Sequence, residues 1–556
     1  MNGGRAARRS ASAPLRSVPV WLAPALLTST VALVGIDRAQ PWRDELATWS
    51  AATRPLGGLA RLAGTIDAGT VPYYLLMHGW LALAGDSATA LRLPSVLAMA
   101  GAAGLTAVLG ERLLGRRAGL IGGVLFAAVP GTSRYAQEAR PYAFVALFGV
   151  LATLLLVGAL DRPGWRRWAG YAAAVAALGL AHLVALSLLA AHAVAVLARH
   201  RRGAPRRAGA AGAPGRAAGE VAEAARGTAR AARGPARAAR GPARAARGPA
   251  RAARDSVDAA GDRPEAAGGR ATPAARRGSP LRGWLAALVP AAVALAPLAL
   301  LGTRQRGRQL DWVDPARLAD LAALPSALAR GGAVGGLLLG LAALGAARSG
   351  PRALLPAAGV ALPALLLFLA GLAAPVWVPR YLFFTVPFAC LLAGAALATV
   401  ALPAASAVVL LAGVLGLPDQ AALRRSHEWP PGALVDYRGA ARVVDEGRRP
   451  GDAVVFSPRD GWLFLDLGTR YHLGDRQPRD ALAVRGQDAR GDYWADECAR
   501  PAECLAGVRR AWLVVAGRPA DPVGAVAGAK GAALRDTFTV ARIWTRPGVT
   551  VALLTR

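Results

Sequence analysis

Asp44 and Glu45 sit side by side a few residues beyond the first apolar run of the chain, Val18–Ile36. Ionisable groups inside a bilayer are expensive, so acids placed at its rim stand where lipid-borne groups can reach them. A carboxylate there can accept a proton from a hydroxyl nucleophile, and its neighbour can orient that nucleophile or the base. The alternative is a pair of solvated loop charges. Two later connections carry the complementary chemistry: Ser133-Arg134-Tyr135-Ala136-Gln137-Glu138-Ala139-Arg140-Pro141-Tyr142, and Val378-Pro379-Arg380-Tyr381. Arginine suits phosphate because its planar fork donates two parallel hydrogen bonds. A carboxylate facing arginines and tyrosines is what transfer of a sugar from a lipid phosphate requires: a base for the acceptor hydroxyl and cations for the departing phosphate.

The elements that must position these loops are membrane helices. The 556 residues are 54% hydrophobic, with long Ala/Leu/Val runs from Val18 to Leu417 that then stop. Segment length predicts about eleven spans, beginning near residues 18, 90, 117, 142, 168, 184, 283, 329, 354, 382 and 402. Val71–Gly85 is read as lying on the surface, because it is short, opens with Pro72 and carries the interface residues Tyr73, Tyr74, His78 and Trp80. With that parity every loop predicted to be cytoplasmic is basic: Arg112/Arg116/Arg117, Arg162/Arg166/Arg167, an insert from 199 to 282, and Arg348/Arg352. Asp44, Glu138, Arg380 and the tail then share the outer face. The N-terminus, with Arg5, Arg8, Arg9 and Arg16 ahead of the first run, is expected to stay inside as a signal anchor.

The formal charge of +32 raises the question of nucleic acid, but the insert alone holds 20 arginines against six acids, as the positive-inside rule would place them. Its heptad repeat, Ala225–Ala252, has regular Gly-Pro pairs and no apolar side chain larger than alanine, which predicts disorder and leaves a lipid or nucleic-acid tether as the alternative. A single lysine, Lys530, removes Schiff-base and P-loop lysine chemistry from the membrane region. After Pro418 the pattern becomes that of a soluble α/β domain: an amphipathic helix at 436–446, strands at 452–456, 511–515 and 549–554, and Cys498 and Cys504 close enough to pair in an oxidising compartment. The fold class is therefore mainly α, a polytopic transmembrane helical bundle with a C-terminal soluble α/β domain. Its domains are 1–17 (cytoplasmic), 18–198 (first membrane region with the outer loops), 199–282 (insert), 283–418 (second membrane region) and 419–556 (extracytoplasmic). His78 and His182 are isolated, with no second ligand at metal-site spacing, so no protein-bound catalytic metal is expected.

Four stretches, WRDELATW (42–49), VPYYLLMHGWLALAGDSATALRLPS (71–95), RYAQEARPYAF (134–144) and VPRYLFFTVP (378–387), resemble the GT-C type membrane glycosyltransferases, the family 39-like group that includes protein O-mannosyltransferases and aminoarabinose transferases acting on lipid A. The resemblance implies a polyprenyl-phosphate sugar donor, transfer at the outer face of the cell membrane and inversion at the anomeric carbon. It makes Asp44 the general base with Glu45 beside it. Glu138 and Arg140 then shape the site with Gln137 and Tyr142 in support, Arg380 and Tyr381 bind the donor phosphate, and Tyr73 and Tyr74 line the sugar or lipid groove. The family often has His or Lys before the proline ahead of the tyrosine pair, where this chain has Val71. The acceptor implied is a cell-wall glycan, a lipoglycan or a protein; no cofactor is implied beyond room for a divalent cation bridging donor phosphate and carboxylate. A flippase or transporter of lipid-linked sugars, or a non-catalytic envelope scaffold, would use the same charges differently. Transporters place ionisable groups near the midplane of repeated halves, and this chain gathers its acids on one face.

Overall fold

In a computed structural model of the chain, residues 18–203, 279–428 and 434–556 are described below. The N-terminal arginines and the heptad repeat lie outside these residues. Each of the eleven positions at which a span is expected carries a helix. In order, the first ten helices are α1 (Leu22–Leu33), α2 (Arg43–Ala52), α3 (Leu56–Thr65), α4 (Val71–Ala84), α5 (Ala88–Leu114), α6 (Arg116–Ala128), α7 (Pro130–Ala136), α8 (Tyr142–Asp161), α9 (Trp165–Ala181) and α10 (Leu188–Gly203).

Among the described residues seven helical segments are long and apolar enough to cross a membrane: Ala88–Leu114, Tyr142–Asp161, Leu183–Arg202, Pro280–Gln309, Gly332–Ala373, Pro379–Leu397 and Leu402–Leu423. The longest of them is two helices. A 42-residue helix would be about 63 Å long at 1.5 Å per residue, twice the hydrocarbon thickness. The segment breaks at Gly350, whose φ of 54° suits glycine, into Gly332–Ser349 and Leu354–Ala373. Helices α1, α6 and α9 are shorter, at 12, 13 and 17 residues. Helix α4 has 14 residues, and its Tyr74 and Met77 pack into a core shared with the C-terminal domain.

The helices pack through small residues, as membrane bundles do where no hydrophobic effect drives association. A Cβ on Gly110 would lie 2.5 Å from the Cα of Gly119, and one on Gly394 would lie 2.7 Å from the amide of Gly122. One core draws on α1, α5, α6 and α8 and equally on the helices beyond the insert, through Leu338, Phe368, Phe383, Phe388 and Leu391.

The tail folds around a five-stranded mixed sheet of order β2-β1-β5-β7-β6, with β1 Ala453–Ser457, β2 Arg479–Asp480, β5 Arg510–Ala516, β6 Thr539–Arg546 and β7 Val549–Thr555. Strand β1 runs parallel to β2 and β5, while β7 is antiparallel to β5 and β6. A two-stranded pair, β3 (Ala483–Arg485) and β4 (Asp496–Glu497), lies beside it, and Cys498 is disulfide-bonded to Cys504. The amphipathic helix is Tyr437–Gly447, capped by the Asp436 side chain. This domain does not stand apart from the membrane region. Leu46, Leu59, Leu62, Tyr74 and Met77 of α2–α4 share a single hydrophobic core with Val444, Phe456, Phe464, Tyr493 and Trp512. Arg54, just beyond the end of α2, donates to the backbone oxygen of Asp492 at 2.7 Å, and Arg308 pairs with the Asp492 carboxylate at 2.6 Å.

Candidate active site

Helix α2 opens with Arg43, Asp44 and Glu45 in its first turn, where acids favour the positive end of the helix dipole. Glu45 reaches back toward the amide of Trp42 at 3.4 Å, the acidic half of a capping box. It is fully buried and gripped by Arg92 of α5, with Nε to Oε1 at 2.8 Å and Nη2 to Oε2 at 2.6 Å. The Ala139 amide donates to the same carboxylate at 3.0 Å, and Arg92 also donates to the carbonyls of Ile36 and Ala39 at 2.6 and 2.9 Å. Burial works to raise the Glu45 carboxyl, but the charge and hydrogen bonds of Arg92, helped by His427, hold it well below the usual carboxylate range. An acid so committed stays ionised and is a poor proton acceptor. Glu45 ties α2 and α5 to the loop at 137–141, which makes it a positioning group.

Asp44 has a different setting. Its Oδ2 is buried without a hydrogen-bond partner, and its neighbour is Arg380, whose Nη2 lies 3.6 Å away. Arg380 donates from Nε to the Tyr142 hydroxyl at 3.0 Å and lies over the rings of Trp312 and Tyr381. It forms part of the wall of a cavity of about 330 Å³ that also includes Trp42, Arg134, Glu138, Arg330 and Trp377. Arg134 spans the floor: it pairs with Glu138 at 2.6 Å, donates to the His427 carbonyl at 2.8 Å, and stacks over Trp42 at 5.2 Å. Burial raises the Glu138 carboxyl, against the lowering effect of Arg134, and its Oε1 has no hydrogen-bond partner. Arg330 ends the helix Leu318–Ala329 in the left-handed conformation, φ 58°, which costs a non-glycine residue roughly 1–2 kcal/mol and sets the turn beside the cavity.

The structure sorts the residues expected from sequence into three groups. Glu138 and Arg380 line the cavity, with Asp44, Tyr142 and Tyr381 against Arg380. Arg140 belongs to a second cluster, donating to the Tyr74 hydroxyl at 3.0 Å. Tyr74 donates to Asp67, and the Tyr493 hydroxyl of the C-terminal domain donates to Asp67 at 2.8 Å and lies 3.0 Å from the Tyr74 hydroxyl. Glu45 and Gln137 are committed elsewhere, Gln137 clasping the end of α1 through the carbonyls of Ala32 and Val34 at 2.7 and 2.9 Å. Tyr73 and Tyr74 are 4% and 0% exposed and do not line the cavity; Tyr73 packs edge-on to Phe144.

Sequence reasoning did not single out Arg92, Arg330 or the segment 424–428, and read His182 only as an isolated histidine. His182 lies 4.4 Å from the Tyr381 ring, and its Nδ1 is buried without a partner. His427 is buried 3.6 Å from Glu45, and burial together with Arg134 and Arg92 pulls its imidazole down to about 3. Glu428 sits 3.5 Å from Arg43, and burial pushes its carboxyl up to about 7 against the opposing Arg43 charge. The run Ser426-His427-Glu428, two titratable groups directly after the last apolar helix, was the available signal. Among the described residues no three His, Cys, Asp or Glu side chains come together to hold a metal ion.

Residues 69–208 match the family described as dolichyl-phosphate-mannose-protein mannosyltransferase. The chain shares its fold with ArnT from Cupriavidus metallidurans in crystal structures of two states. For the apo state the TM-score is 0.55 at 13% identity over 98% of both chains; for the form bound to undecaprenyl phosphate it is 0.55 at 13% identity over 97% of this chain and 98% of that one. No curated protein sequence matches the chain. The mannosyltransferase match thus covers α4 to α10, and the fold shared with ArnT runs through membrane region and tail alike.

Proposed function

We propose that the protein transfers a sugar from a polyprenyl-phosphate-linked donor to an extracytoplasmic acceptor, a cell-wall glycan, a lipoglycan or a protein, with Asp44 as general base and inversion at the anomeric carbon. The observation that carries this is the Asp44–Arg380 contact at the wall of an arginine-bearing cavity. Arg380, Arg134 and Arg330 offer the positive charge that a departing lipid phosphate needs. Trp42, Trp312 and Trp377 offer apolar faces for a sugar ring. The ArnT form that binds undecaprenyl phosphate supports a lipid of that class as the donor carrier. A phosphate arriving at Arg380 competes for the guanidinium that Asp44 holds in its absence. Asp44 is then released to take the acceptor's hydroxyl proton while the oxygen attacks the anomeric carbon and the phosphate leaves. Little protonation of the leaving group is needed, because the departing polyprenyl phosphate, a phosphate monoester, is weakly basic beside an alkoxide. Glu45, locked by Arg92, holds the turn that presents Asp44. On this reading the C-terminal domain, which shares a core with α2–α4, lies on the same outer face as the site.

The test is sugar transfer by purified protein in lipid, with radiolabelled polyprenyl-phosphate sugars and a cell-envelope extract as acceptor. Asp44→Asn should lower the rate by about 10²-fold or more. Full activity in that variant would remove Asp44 as the base.

A further inference from the structure

Buried polar atoms in native proteins nearly always find partners, so a concentration of unpartnered ones calls for a ligand. Trp42, Arg43, Asp44 and Glu428 form such a concentration. Trp42 Nε1, Arg43 Nε and Nη2, Asp44 Oδ2 and both oxygens of Glu428 are buried and without hydrogen bonds among the described residues. Arg43 and Glu428 face each other at 3.5 Å, too far for a good hydrogen bond, with side chains 17% and 2% exposed. Three of these residues are consecutive in α2 and its cap; the fourth is brought in by the segment after the last apolar helix. That segment is fastened independently of Glu428: Arg424 donates to the carbonyls of Val31 and Val34 at 3.0 and 2.9 Å, and the His427 carbonyl accepts from Arg134.

The set is chemically mixed, three donor atoms on Trp42 and Arg43 and three acceptor atoms on Asp44 and Glu428. A phosphate would satisfy only the donors and would be repelled by the two acids. A serine or threonine side chain has one hydroxyl to offer. Neighbouring hydroxyls of a sugar each donate and accept, so one can bridge Arg43 and Glu428 while the next gives its proton to Asp44. Resting on the donor and base roles set out above, we propose that Arg43 and Glu428 form the acceptor subsite and that the acceptor is a sugar hydroxyl of a glycan. A site built to bond a substrate hydroxyl discriminates strongly against an analogue lacking it, because its own polar groups are then left stranded.

The experiment supplies full-length protein in lipid vesicles with a radiolabelled polyprenyl-phosphate sugar and three acceptors: methyl glycosides of hexose and pentose disaccharides, their singly deoxygenated analogues, and a Ser/Thr peptide. The expected result is transfer to one or more disaccharides and not to the peptide, and a loss of about 10²-fold or more in kcat/KM on removing one hydroxyl beside the accepting one. Glu428→Gln should raise the acceptor KM at least tenfold with a much smaller change in kcat, and Glu428→Asp should recover part of it; thermal unfolding of each variant reports on folding separately. Transfer to the peptide, or an acceptor KM unchanged in Glu428→Gln, would overturn the subsite while leaving the donor reading standing. Wild type that consumes no donor in the presence of any acceptor would remove the donor reading and the subsite together.

Discussion

Replacing Arg92 by methionine tests whether Glu45 is a positioning group. The guanidinium makes two charge-assisted bonds to Glu45 and reaches the carbonyls of Ile36 and Ala39, all with the two side chains 1% and 0% exposed. Removing one member of a buried ion pair costs about 3–5 kcal/mol, since the remaining charge is stranded. Each backbone carbonyl that loses its donor adds roughly 1 kcal/mol or more. Against a total stability on the order of 5–15 kcal/mol, Arg92→Met should bring the fold close to its limit. The double variant Glu45→Met/Arg92→Met removes the stranded charge and should recover most of the ion-pair share, yet not that of the carbonyls. Chemical unfolding in mixed micelles, followed by tryptophan fluorescence, reads all three proteins. The reasoning fails if the double variant is no more stable than Arg92→Met, or if Arg92→Met costs less than about 1 kcal/mol. The pH dependence has a definite sign. Because the folded Glu45 carboxyl lies below its unfolded value of about 4.3, its contribution is present above that pH and is lost only as pH falls through the lower folded value.

Arg380→Lys keeps a charge but loses the fork that bonds Tyr142 and faces Asp44; the donor KM should rise roughly tenfold, and further in Arg380→Ala, by the transfer assay. For Glu428, raised to about 7, the folded protein binds the extra proton between about pH 4.3 and 7. Its contribution to stability therefore falls as pH rises through that window, and Glu428→Gln should flatten that part of the stability profile. Cys498→Ser/Cys504→Ser opens a loop of sequence separation 6 and should cost the C-terminal domain about 2 kcal/mol in thermal unfolding, with wild type under reductant behaving alike.

The helices were legible because their signal is local: runs of Ala, Leu and Val long enough to fill a bilayer announce themselves without knowledge of neighbours. The strands at 453–457, 510–516 and 549–555 were legible for the same reason, as short apolar runs between polar turns. The site was legible only in part. Asp44, Glu138 and Arg380 stood out as charges in connections between spans, where charge is unexpected. Arg92 did not, because within α5 its charge is cancelled by a residue 47 positions away, and nothing local records that pairing. Nor did His427 and Glu428, whose burial depends on where the last membrane helix delivers them. Tyr73 and Tyr74 resembled a groove lining because aromatic residues at an interface look alike in sequence whether they face a lipid or protein; here Tyr74 meets Tyr493 of the C-terminal domain and Tyr73 packs on Phe144 of α8.

That shared core has a consequence for biosynthesis. Helices α2–α4 leave the ribosome early, but the tail helices that α2 and α3 pack on, Leu465–Leu473 and Gln487–Arg490, come only after all the membrane helices. At 5–20 residues per second, roughly half a minute to a minute and a half passes before their partner exists. Throughout that wait Leu46, Leu59, Leu62 and Met77 lack the tail residues that share their core, and the lipid headgroup region beside the emerging spans is the nearest shelter for that side. Synthesis of the tail, rather than insertion of the membrane helices, is then the event that completes this core.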